Sequence, residues 1–234
     1  MGEVSAGNLD VVPPRRSGSI ARHTLLKTVV SNPKKMYVIR SPAGYGKTVL
    51  LNQIYDTVES TAIWINIRGK DKDPVVFLQK LDRSLAQIGN GVTKRSHLQA
   101  FDGIVPPSLS LWFVSILDEM NRIPNLHIFI DDCDLLNESE SNSLLGDFLR
   151  DSLESVRFYV TTITDIEFKH SHLLMDSQLG TINQSDLVFN INDIEALFQF
   201  NDGAAPNREF VEKVETLTEG WPVAANYFSK NVNN

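Results

Sequence analysis

The stretch MYVIRSPAGYGKTVLL, residues 36–51, decides how the rest of the chain is read. MYVIR is apolar on both parities, the mark of a strand buried on both faces of a parallel sheet. The residues after Lys47 carry apolar side chains at Val49, Leu50, Ile54 and Val58, as on the inner face of a helix. Between strand and helix lies Ser41-Pro42-Ala43-Gly44-Tyr45-Gly46-Lys47-Thr48. Its spacing is that of a phosphate-binding loop, G-x-x-x-x-G-K-[ST], with Ser41 in place of the first glycine.

The chemistry of such a loop survives that replacement. Gly44 and Gly46 let the backbone turn its N–H groups inward, and the following helix offers its positive end to the same anion. Lys47 is placed to reach the β- and γ-phosphates, and Thr48 to ligate Mg²⁺. The expected cofactor is therefore ATP or ADP with Mg²⁺, held by Ser41, Pro42, Ala43, Gly44, Tyr45, Gly46, Lys47, Thr48 and Val49. A nucleotide site of this kind needs a carboxylate at a nearby strand end, and HIFIDD (residues 127–132) supplies two. Asp131 is expected beside the metal. Asp132 is expected to orient or deprotonate an attacking water, with Lys47 as its catalytic partner.

Outward from this pair, strands and helices alternate. TAIWINI, NLHIFIDD and VRFYVTTI read as strands, with a weaker one near 179–189. Helices are expected over 20–31, from Asp73-Pro74 (cap and first turn), over SLSLWFVSILDEMNRI and SESNSLLGDFLRDSLES, and near 167–176. Residues 89–107 read as a polar loop. From about residue 192 the pattern is helical only. The fold class is α/β: a three-layer P-loop sandwich on a mainly parallel five-stranded sheet. The expected plan is an N-terminal arm (1–19), a nucleotide-binding domain (20–190) and a small helical subdomain (191–234).

The bulk properties agree. A formal charge of -7 does not favour nucleic-acid binding, and the basic residues of the first 35 positions read as a solvated arm. A single cysteine, Cys133, excludes an internal disulfide, fits a cytoplasmic location and reads as a packed side chain. No apolar run reaches the ~18 residues of a membrane span. His170, His172 and Asp176 do not share a helix face, which argues against zinc. Trp64, Trp112 and Trp221 each stand among apolar neighbours and read as core or interdomain packing.

SPAGYGKTVLLNQ resembles the phosphate loop of the MalT-like, LuxR-type transcription regulators, which belong to the STAND class of signal-transduction ATPases. The resemblance continues through TAIWINIRGKDKDPVVFLQKLDRSL, LHIFIDDCDLL, SDLVFNINDIEALF and LTEGWPVAA, and upstream to SIARHTLL. It implies a sheet of order 5-1-4-3-2 followed by a helical domain. It also implies an arginine, here Arg22, near the adenine, and a reporting role for Trp221 and Pro222. The implied activity is a switch: ADP holds a closed form, ATP with an inducer opens it, and the open form self-associates. The inducer would be bound by parts outside these residues, and no DNA contact is expected from them. The chain is then expected to be a fragment of a longer regulator.

One departure bears on catalysis. The family's fourth strand ends in an arginine that senses the γ-phosphate, and here Ile163 aligns with it. Loss of that cation predicts nucleotide binding with slow or absent hydrolysis. The alternatives are a working AAA-like ATPase, or a protein-interaction module with a vestigial nucleotide site.

Overall fold

The computed structural model describes residues 11–14, 19–58, 61–88, 108–166, 177–202 and 206–231. The loop expected at 89–107, the helix expected at 167–176 and the His170/His172/Asp176 cluster lie outside the described residues.

Five short strands form the sheet: β1 (Met36–Arg40), β2 (Ala62–Asn66), β3 (His127–Asp131), β4 (Arg157–Thr162) and β5 (Leu179–Ile182). Their order is β2-β3-β4-β1-β5, and every pairing is parallel. The expected order 5-1-4-3-2 is the same sheet seen from the other edge. Parallel strands need crossovers, and helices supply them. The described helices are α1 (His23–Ser31), α2 (Lys47–Thr57), α3 (Pro74–Ala86), α4 (Leu109–Arg122), α5 (Glu140–Asp151), α6 (Gln184–Leu187), α7 (Ile191–Asp202), α8 (Arg208–Thr218) and α9 (Pro222–Asn231). As expected, Asp73 caps α3, its carboxylate accepting from the amides of Val75 and Val76, and Pro74 opens the first turn.

Alternation along the strands separates two cores. Met36, Ile63, Ile65, Ile128, Ile130, Phe158 and Val160 face α3, α4 and α5, where Leu78, Ile116 and Phe148 meet them. Tyr37, Ile39, Trp64, Phe129 and Tyr159 face α1 and α2, meeting Val29, Leu50, Leu51 and Ile54. The register aligns Trp64 with Phe129, Phe129 with Tyr159 and Tyr159 with Tyr37. Neighbouring rings in this row are nearly parallel, with centroids 4.6–6.1 Å apart. Gly180 stands next in the row, and a Cβ there would come within 2.3 Å of the Tyr37 ring. A third core belongs to α7–α9, where Ile194, Phe198, Val211, Val214 and Ala225 are buried.

Three expectations need correction. The strand placed near 179–189 is only Leu179–Ile182. Asn183 then turns the chain into α6, its amide donating to the Asp186 carboxylate (2.7 Å). The helix expected over 20–31 starts at His23. The basic N-terminal stretch is not wholly solvated. Lys35 is buried, and its ammonium donates to the carbonyls of Ser152 (3.0 Å) and Leu153 and to the Ser152 hydroxyl (2.8 Å), capping the end of α5. Val11 of the expected arm is buried too, while the Val12 carbonyl accepts from the Asn66 side chain (3.2 Å). Cys133, Trp64 and Trp112 are buried as expected. Among the described residues no helix is long and apolar enough to cross a membrane.

His127 begins β3, is buried, and stacks on Tyr159 with its Nδ1 3.1 Å from the phenol oxygen. Burial, and secondarily the Arg157 cation, lower its pKa to about 4. The unfolded chain takes up a proton near pH 6.5 and the folded chain does not until about pH 4, so stability falls as pH drops through that window. The loss is about 3 kcal/mol at most. Urea unfolding of His127→Phe, followed from pH 6.5 to 4, is expected to show a flatter acid limb than the parent.

Candidate functional site

The carboxyl ends of β1, β3 and β4 meet at one edge of the sheet, and the parallel register decides what they bring there. β1 ends at Arg40, and the ladder continues one step further, with the Ser41 amide donating to the Thr162 carbonyl (3.3 Å). The chain then turns through Pro42, Ala43 and Gly44, all exposed, into Tyr45 and Gly46. Gly44 (φ 84°) and Gly46 (φ 85°) both take the left-handed conformation that other residues avoid. Gly46 caps α2 without a side chain, so the first-turn amides of Lys47, Thr48 and Val49 are presented to an anion.

The Lys47 ammonium spans the loop, donating to the carbonyls of Ser41 (2.8 Å) and Pro42 (3.1 Å). Burial lowers its pKa, against which Asp132, Asp134 and Asp131 hold the charge in place. Thr48 donates its hydroxyl to Asp131 Oδ1 (3.1 Å), joining the loop to the end of β3. Thr161 of β4, fully buried, donates to the same oxygen (2.5 Å) and accepts from the Asp132 amide (2.9 Å). One threonine thus orients both aspartates. Thr161 was missed in the sequence reading; its signal was a hydroxyl pair, Thr161-Thr162, closing an otherwise apolar buried strand.

Asp132 takes a left-handed backbone (φ 60°) that swings its carboxyl out of the strand line. Burial raises its pKa, Asp131 and Asp134 add to the rise, and Lys47 and Arg68 oppose it. That combination suits a group that must accept a proton. Ile163 is about half exposed at the tip of β4, and its amide donates to Asp134 (3.0 Å).

These residues fit a nucleotide with Mg²⁺. The amides and Lys47 offer donors to phosphate, and Thr48 and Asp131 converge on one point. Among the described residues no group of three metal-ligating side chains forms a cage. Mg²⁺ binds in just this way, through one or two protein oxygens with phosphates and water completing its shell.

The loop has a second neighbour. Val223, the second residue of α9, donates its amide to the Gly44 carbonyl (3.1 Å). A Cβ on Gly44 would lie 2.8 Å from Val223 and 2.9 Å from Trp221. Trp221 is 41% exposed, so it packs between loop and helices and not within a core. Its ring centroid lies 6.4 Å from that of Tyr45, whose hydroxyl accepts from Gln184 (2.8 Å). Pro222 is buried at the start of α9. Arg22 is committed to the junction below. Its guanidinium donates to the carbonyls of Leu187 (2.9 Å) and Asp186 (2.8 Å) and lies over the Phe189 ring.

No family model matches the chain. It is 26% identical over 193 residues to the HTH-type transcriptional regulator MalT of Klebsiella pneumoniae, covering 80% of this chain and 21% of the relative. It is 22% identical over 219 residues to the serine/threonine-protein kinase PknK of Mycobacterium tuberculosis, covering 91% of this chain and 20% of the relative. Among solved structures it matches a STAND protein with a tetratricopeptide-repeat sensor from Pyrococcus horikoshii (TM-score 0.64, 20% identity, 90% of this chain and 29% of that one). It also matches a Walker-type ATPase of Pyrococcus abyssi (TM-score 0.56, 14% identity, 92% of this chain and 68% of that one). Over these residues the chain is similar in sequence to MalT regulators, and its fold is that of the STAND protein and the Walker-type ATPase. It spans roughly a fifth to a quarter of the length of the curated relatives it matches.

The two loop glycines are expected to differ. Alanine at Gly46 meets nothing within 4 Å and carries only the cost of its φ angle, whereas alanine at Gly44 must also displace Trp221 and Val223. Gly44→Ala should therefore be less stable than Gly46→Ala by about 1–3 kcal/mol in urea titrations. Equal losses would mean that the helices do not rest on the loop.

Proposed function

We propose that the chain is a nucleotide-operated switch that binds ATP or ADP with Mg²⁺ on the Ser41–Val49 loop. The observation that carries the proposal is the seat of α9 on that loop, through the Val223 amide and the Trp221 ring against Gly44. A phosphate group that re-aims the Gly44 peptide acts directly on the helices, so di- and triphosphate forms favour different placements of α7–α9. Arg22, tied to residues 186–188 and to Phe189, is the pivot of this movement. The likeness to MalT regulators and to a signal-transduction ATPase supports the reading.

In this reading residues 20–190 form the nucleotide-binding domain and residues 191–234 the helical subdomain that responds to it. Lys47 holds the β- and γ-phosphates, and Asp131 and Thr48 stand by the metal. Asp132 positions water for a slow hydrolysis that resets the switch. Ile163 brings no cation to the γ-phosphate, so turnover stays below about 1 s⁻¹, the low end for phosphoryl transfer. An inducer acting on other segments of a longer regulator, and self-association of the triphosphate form, complete the proposal. No DNA contact is assigned to these residues, and their place of action is the cytoplasm.

Thermal unfolding tests it. With Mg²⁺ and ADP at a hundred times its dissociation constant, stability should rise by about 2.7 kcal/mol. Lys47→Ala, folded by circular dichroism, should lose the response. A melting temperature indifferent to millimolar ADP and ATP would refute the switch, and turnover well above the stated limit would point to a working ATPase.

A further inference from the structure

A closed circuit of hydrogen bonds leaves α2, passes through residues 19–22 and α6, and returns to α2 through the phosphate loop. On α2, the Gln53 carboxamide accepts from the Arg22 amide (3.0 Å) and donates to the Ile20 carbonyl (2.8 Å) and the Ser19 hydroxyl (3.0 Å). Residues 19–22 are thereby fixed to the helix, while the Ile20 side chain packs against the core of α7–α9. Arg22 carries the circuit to α6, donating to the carbonyls of Leu187 (2.9 Å), Asp186 (2.8 Å) and Val188 (3.4 Å). Gln184 opens α6, and its side chain donates to the Tyr45 hydroxyl (2.8 Å). Tyr45 adjoins Gly46, and α2 begins at the next residue.

Tyr45 is the part of this circuit that its own backbone holds least. It stands between two glycines in the left-handed conformation, where the chain rotates at little steric cost. The rest of the loop is braced through its carbonyls, those of Ser41 and Pro42 by Lys47 and that of Gly44 by the Val223 amide. Tyr45 is braced through its side chain. The partly buried ring packs against the core on the α2 side and lies tilted by 35° to Trp221, and the hydroxyl ends on Gln184. Gln184 itself is exposed, so this bond contributes little to the fold as a whole.

We infer that Gln184 is a positioning residue that sets the affinity of the phosphate loop for a nucleotide by holding Tyr45. An anion binds only when the loop amides converge, and affinity falls in proportion to the fraction of molecules in which they do. With the Gln184–Tyr45 bond made, the turn from Gly44 to Gly46 is kept in the conformation that leaves the first-turn amides of α2 open. Without it the turn samples other conformations, and the Tyr45 ring leaves Trp221. Because Arg22 grips α6, the same bond makes the order of the loop depend on residues 19–22 and on the helices packed against Ile20. This inference rests on the nucleotide reading above and adds to it a regulator of that site.

The test is a double-mutant cycle on the whole chain, with Tyr45→Phe, Gln184→Leu and the pair, each checked for folding by circular dichroism and titrated calorimetrically with Mg²⁺-ADP. Each single variant should bind about threefold more weakly, the worth of one exposed neutral hydrogen bond. The double variant should lose no more than either single one, because both remove the same bond. Melting temperatures without nucleotide should stay nearly unchanged. Iodide quenching of the unliganded protein supplies a second readout. Trp64 and Trp112 are buried and Trp221 is exposed, so the quenching reports Trp221 and should increase in both single variants. Unchanged affinity in either single variant, losses that multiply in the double variant, unchanged quenching, or a fall in melting temperature that accompanies the weaker binding overturns the role of Gln184 and leaves the nucleotide reading intact. Failure of the parent chain to bind Mg²⁺-ADP overturns both.

Discussion

One carboxylate oxygen gathers the working edge of this protein. Asp131 Oδ1 accepts from Thr48 at the start of α2 and from Thr161 on β4, so the phosphate loop, β3 and β4 share a single acceptor. Hydrogen bonds to a charged acceptor contribute about 1.5–3 kcal/mol each when both partners are ordered. Such a carboxylate is buried at the cost of its hydration, and the hydroxyls, together with Lys47 nearby, offset that cost. Thr161 extends the arrangement to the Asp132 amide, so the two aspartates cannot move independently.

The arrangement is possible because the sheet beneath it is stiff. The aromatic row from Trp64 to Tyr37 crosses four strands on the α2 face, and Gly180 leaves the last ring room. Offset rings packed this way resist sliding of one strand past the next, and any slip by one residue would turn the row outward. Register in the middle of the strands thus becomes precision at their carboxyl ends.

Against this rigid edge the helices α7–α9 have a core of their own and touch the loop at a few points. Gly44 is therefore a glycine for two reasons: its φ angle, and the Trp221 and Val223 side chains above it. A joint built on the Val223–Gly44 backbone hydrogen bond, the Trp221 and Val223 side chains over Gly44 and the Tyr45–Trp221 ring pair is small enough to be shifted by a ligand, and specific enough to be read by it.

Local pattern alone determined a good deal. Apolar runs punctuated by helix periodicity fixed the alternation of strands and helices, and the glycine-lysine-threonine loop and the paired aspartates were visible as residue types at the right spacing. Sheet order came from likeness to a family and matched the structure. What local pattern missed has a common cause. The short β5, ended by the Asn183–Asp186 turn, the burial of Lys35 under α5 and the role of Thr161 all depend on residues brought together from distant parts of the chain. A side chain's neighbours along the sequence set its periodicity; its neighbours across the sheet set its charge, its partners and its use. Only the tertiary structure decides the second set, because parallel strands are joined by long crossovers and every contact at their carboxyl ends is non-local.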